Sequence, residues 1–147
     1  MKLYNLILIT ALSFFAIYTS AQNTVTFQVD MSTVDSSTFT TPEVNGNFNG
    51  WCGSCASMTD ANGDNIWDIT MDLANGSYEF KFSADNWNIE ENLDSSLSCV
   101  ALGFDSLGVL GFVNRELKLL SDTIIDVCWE SCNACVYGCT DPIACNF

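Results

Sequence analysis

Residues 67–82 read WDITMDLANGSYEFKF. Trp67, Ile69, Met71 and Leu73 alternate with Asp68, Thr70 and Asp72, and Tyr78, Phe80 and Phe82 alternate with Glu79, Lys81 and Ser83. A period of two belongs to strands that turn one face to a core and the other to water. Asn75-Gly76 lies between the two runs, and Asn-Gly flanked by alternating residues is a strong hairpin signal. The stretch therefore predicts two antiparallel strands paired across Asn75-Gly76. It places Trp67 in the core and Lys81 on the outer face of the sheet.

Toward the N-terminus the same alternation recurs. Val25, Phe27, Val29 and Met31 alternate with Thr26, Gln28 and Asp30, which predicts a half-buried strand. Residues 32–41 are rich in Ser and Thr and end at Pro42, as a connection does. A short strand over 43–47 then runs into Val44-Asn45-Gly46-Asn47-Phe48-Asn49-Gly50-Trp51. Asn and Gly tolerate positive φ, so this segment is expected to be a tight surface loop that holds one aromatic ring in a fixed place. Asp60, Asn62 and Asp64 have the oxygen spacing of a calcium loop, but Asn65 stands at the glycine position and Met71 where the bidentate Glu is required. A plain acidic turn is expected there, with no metal.

Toward the C-terminus, residues 86–92 form a polar loop around Trp87. Residues 93–110, which include Cys99, have no readable period. Residues 112–119 alternate again, with Phe112, Asn114, Glu116 and Lys118 opposite Val113, Arg115, Leu117 and Leu119; residues 123–129 give a last strand. No window has sustained helical periodicity. Short strands at even spacing predict an all-β fold, a sandwich or small barrel. Residues 1–21 carry a short apolar run and a small-x-small ending at Ala21, and are expected to be a secretory signal peptide. The β module is expected over 22–132. Residues 133–147 have three Cys in eleven residues and read as the opening of a Cys-rich repeat, so the chain is expected to be part of a longer, multidomain protein.

The 147 residues carry 18 acids, four Lys and Arg together, and no His. Without clustered cations, nucleic acid and anionic membrane surfaces are excluded as partners. No stretch beyond the leader is long enough for membrane insertion. Behind a secretory signal the eight Cys read as disulfides, with zinc as the competing reading. Cys52–Cys55 and Cys128–Cys132 are the expected close pairs. Absence of His removes Ser-His and Cys-His nucleophiles, and adjacent Glu90 and Glu91 point apart in an extended chain, unlike the facing pair a glycosidase needs. No catalytic residue and no cofactor is expected.

Trp67 shares a face with Ile69 and Met71 and reads as core; Trp129 is expected to shield a disulfide. Trp51 and Trp87 lie in polar loops, where each is either edge packing or an exposed platform. An exposed indole beside Asn amides and a Lys suits a sugar, because the ring covers the C–H face and the polar groups bond the hydroxyls.

With these residues in hand, the chain resembles the starch- and glycogen-binding modules, which include the glycogen-binding domain of AMP-activated protein kinase β subunits. The resemblance rests on Gly46-x-Phe48-Asn49-x-Trp51, on the strand Tyr78-Glu79-Phe80-Lys81-Phe82, on Trp87 and on a late Asn114, over roughly residues 24–127. It implies an immunoglobulin-like antiparallel β-sandwich that binds an α-glucan and has no catalytic activity. Carried over, Trp51 and Trp87 are stacking platforms, Lys81 bonds hydroxyls and Asn114 is a further polar contact. Cys52, Cys55 and Cys99 depart from the family pattern. The tail resembles Cys-rich repeats of large secreted proteins of marine Bacteroidetes, implying a secreted or cell-surface location. The alternative is a structural spacer or adhesin sandwich with no sugar site. Trp51 and Trp87 both buried, or on opposite ends, would favour it.

Overall fold

The computed structural model describes residues 21–137. The expected leader, apart from Ala21, and residues 138–147 with Cys139 and Cys145 lie outside the described residues. The described residues form eight strands: β1 Gln22–Asp30, β2 Pro42–Gly46, β3 Ile66–Ala74, β4 Gly76–Ala84, β5 Ile89–Glu90, β6 Val100–Phe104, β7 Leu110–Leu119 and β8 Thr123–Cys128. β3, β1 and β8 make one sheet, and β2, β4, β7 and β6 make the other, with β5 added to β4. The two sheets pack as an all-β sandwich. Pairing is antiparallel throughout except between β1 and β8, which run parallel.

Alternation decides what is inside. Val25, Phe27 and Val29 of β1 meet Val44 of β2, Phe80 and Phe82 of β4 and Leu117 and Leu119 of β7 across the interior. Phe27 and Phe80 approach edge to face at 5.1 Å, an arrangement favoured by the ring quadrupole. Trp67, Ile69, Met71 and Leu73 pack against this cluster from β3, as their shared face predicts. Trp129 also packs against it.

The hairpin expected across Asn75-Gly76 does not form. β3 pairs with β1 along its whole length, from Gln22↔Ala74 to Asp30↔Ile66. β4 pairs instead with β2 and β7 in the opposite sheet. Asn75 alone separates the two strands, and neither Asn75 nor Gly76 has the positive φ that a type I′ turn requires. The chain arches from one sheet to the other. In a hairpin the two apolar faces lie side by side; in an arch they oppose each other across the core. Both arrangements have period two on each side of the bend, so alternation cannot separate them.

The pairing expected between Cys128 and Cys132 is also replaced. Cys128 bonds Cys135, and Cys132 bonds Cys99, while Cys52–Cys55 forms as expected. The Cys128 carbonyl accepts the Ser131 N–H and the Cys128 N–H donates to the Asn133 carbonyl. This turn leaves Cys132 beside Cys99, whose N–H lies 3.2 Å from the Cys132 sulfur. The bond ties the chain after β8 to the segment before β6, an element the sequence left unreadable.

Beneath β4 and β7 lies a buried ion pair. Arg115 and Glu91 are 2% and 0% exposed and meet at 2.6 Å. Glu91 also accepts the Phe82 N–H, and Arg115 donates to the Ser131 carbonyl at 2.7 Å while lying 5.2 Å over the Phe82 ring. Burying Glu91 turns its neighbour Glu90 to the opposite face, where Lys81 lies.

Candidate functional site

The outer face of β2 and β4 is roofed at one end by two loops. Glu43, Asn45 and Ser83 sit on that face; the alternation predicts exposure of Ser83, yet all three are buried. They hold the loops from below. Asn45 accepts the Gly53 N–H at 2.9 Å and donates to the Gly53 carbonyl at 3.2 Å and to Ser83 Oγ at 2.8 Å. Asn49 accepts the Gly46 N–H and donates to the Val44 carbonyl, while the Trp51 N–H closes on the Gly46 carbonyl at 3.0 Å. The asparagines of the first loop thus shape the turn. Gly46 must be glycine, since a Cβ there would lie 2.6 Å from the Glu79 carbonyl oxygen and from the Phe48 ring.

The second loop is more constrained. Asp85, Asn86 and Trp87 have φ of 53°, 58° and 67°, three left-handed residues in a row, and Trp51 has 59°. A non-glycine residue in this region costs on the order of 1–2 kcal/mol. Hydrogen bonds offset the cost. The Asp85 carboxylate accepts the Thr40 and Thr41 N–H groups at 2.8 and 2.9 Å, and the Asn86 N–H donates to Glu43 at 3.0 Å. Burial pushes the Glu43 carboxyl above the usual carboxylate range. The Asn86 N–H and Ser83 hydroxyl oppose that rise, and the nearby Asp85 charge adds to it. Strain of this kind concentrates at functional sites.

The two loops bring their indoles together. The Trp51 and Trp87 ring centroids are 6.4 Å apart and the planes are tilted by 33°. Trp87 Nε1 lies 3.4 Å from the Trp51 carbonyl oxygen. The rings form one wall of an open depression of about 450 Å3, within the size range of small-ligand sites. Its floor is the outer face of β4 and β7, carrying Glu79, Lys81 and Asn114, and Phe112 and Glu90 complete the rim.

All four residues singled out from the sequence, Trp51, Lys81, Trp87 and Asn114, line this depression. Their states differ from free surface groups. The tryptophans are half-buried against each other. Lys81 Nζ lies 3.5 Å from Glu90, with the side chain 14% exposed. Asn114 donates to Glu79 at 3.1 Å and lies in the floor. Glu79, Glu90, Phe112 and Asn47 also line the site and were not singled out. Glu79 and Phe112 lie two residues before Lys81 and Asn114, so strand phase alone puts them on the same face.

The arrangement offers apolar faces, fixed donors from Lys81 and acceptors from Glu79 and Glu90 in one concavity. Such a set can stack against an apolar face and exchange hydrogen bonds with hydroxyl groups. The acidic turn at residues 60–65 is separate from it. There Asp60 accepts the Gly63 and Asn65 N–H groups at 2.7 and 2.9 Å, and Asp64 accepts that of Ile66.

No protein-family model matches the chain, and no curated protein matches it. The disulfides are compatible with an extracellular protein.

Proposed function

We propose that the protein binds a neutral polysaccharide without altering it chemically, an α-glucan such as starch or glycogen, and that it does so as a module of a longer protein that is secreted or displayed on the cell surface through its N-terminal signal. The observation that carries this reading is the pairing of Trp51 and Trp87 over a floor of polar side chains in one open depression. The left-handed backbone at both tryptophans is in keeping with it, since strain of this kind clusters at binding sites. Rings buried or at opposite ends would favour a spacer without a site; these are half-buried and paired at one end. An open site buries little of a hydrated ligand, so Kd is expected on the order of 10 μM to 1 mM.

The test is retention on insoluble starch and glycogen-coated beads, with cellulose as a control. The wild type is retained and released by soluble maltoheptaose. Trp51→Ala and Trp87→Ala each abolish retention, and Lys81→Ala weakens it roughly tenfold. Thermal melts of all variants show whether loss of binding is loss of fold. A wild type that passes through every glucan column contradicts the proposal.

A further inference from the structure

A second, smaller depression of about 230 Å3 adjoins the one beside the tryptophans. Lys81 and Phe112 line both, whereas Asn92, Leu110 and Gly111 line only the second. The two adjoin at Lys81 and Phe112, the second reaching on to Leu93 and Val113, and together they read as a groove with Phe112 at the waist.

Phe112 is held there by an unusual neighbour. Its partner in register on β6 is Gly103. A Cβ built on Gly103 would overlap the tip of the Phe112 ring. The ring therefore lies flat over the glycine and fills the place of the missing side chain. Glycine inside a strand often marks the close approach of another group, and an aromatic lying over it restores the lost packing. One side of the ring is fixed in this way, while 51% of the residue stays exposed. Phe112 thus presents a flat, uncharged surface of the kind that Trp51 and Trp87 present at the other end of the groove.

We infer that Phe112 is a third stacking platform, and that the groove takes a linear run of several sugars rather than one terminal residue. The second depression is a further subsite, where Asn92 and Lys81 meet hydroxyl groups. This rests on the glucan reading above.

The experiment is calorimetric titration of the wild type, Phe112→Ala, Phe112→Tyr and Gly103→Ala with maltose, maltotriose and maltoheptaose, with sedimentation of each protein alongside. The wild type gains affinity with chain length, by roughly 10-fold from the shortest to the longest, the upper range for one aromatic contact. Phe112→Ala cuts that gain to about 2-fold. Phe112→Tyr keeps the gain. Gly103→Ala, which pushes the ring off its seat, loses the gain with Phe112 still present; if its melt shows unfolding, Phe112→Ala decides alone. An unchanged gain in Phe112→Ala overturns the inference. A change in sedimentation would assign the ring to self-association and overturn it as well. A wild type that binds maltose and maltoheptaose equally overturns this inference alone. One that binds neither overturns the glucan reading with it.

Discussion

Trp51 and Trp87 occupy backbone conformations that favour glycine. A direct consequence is testable. Trp51→Gly is expected to be more stable than Trp51→Ala by about 1 kcal/mol, because glycine has no Cβ to strain at positive φ. The same order is expected at position 87, and urea unfolding reads both. If alanine is the more stable replacement at both positions, the backbone there is not strained. Glu43 makes a second prediction. Its folded carboxyl holds its proton to higher pH than the unfolded chain does. The folded state then binds more protons in the window above the ordinary value of 4.5. The stability from this group is complete below that value and lost as pH rises through the folded one. Between about pH 4 and about pH 7, Glu43→Gln is therefore expected to gain in melting temperature relative to wild type. A difference constant across that range contradicts the burial of this charge. At this scale the sequence was legible in part. Strand phase put Lys81 and Asn114 on the outer face, where they are. It also put Ser83 toward solvent, and only the loops folded over it bury it.

Among the elements, the strands were legible and their partners were not. β1, β3, β4 and β7 follow from alternation, since burial of one face is a local pattern. The join at Asn75 was misread because a one-residue arch and a hairpin leave the same trace in sequence. β6 was invisible because Val100, Ala101, Leu102, Gly103 and Phe104 form a run with no polar alternation. Disulfide partners are likewise set by folded proximity, which is why Cys132 meets Cys99 and not Cys128. Replacing both Cys99 and Cys132 with Ser is expected to cost about 2–5 kcal/mol, read by thermal or urea unfolding. No loss would mean that the bond does not form. Glu91→Ala strands the buried Arg115 guanidinium and is expected to cost about 3–5 kcal/mol. A loss below about 1 kcal/mol would show that water reaches the pair.

The molecule as a whole carries a net charge of −14 and yet gathers Lys81 into its candidate site. Glu79 and Glu90 flank that lysine, so the site is no haven for anions. Polyuronates are expected to be ignored at low salt, where repulsion between the two polyanions is strongest. The decisive measurement is a titration of the labelled protein with maltoheptaose, followed through the indole N–H signals in NMR spectra. The chain has four Trp, and two of them, Trp67 and Trp129, pack against the core. Progressive shifts at Trp51 and Trp87, with Trp67 and Trp129 unmoved, are the expected result. Four unmoved signals at millimolar ligand, or shifts confined to Trp67 and Trp129, would contradict glucan binding at the paired indoles.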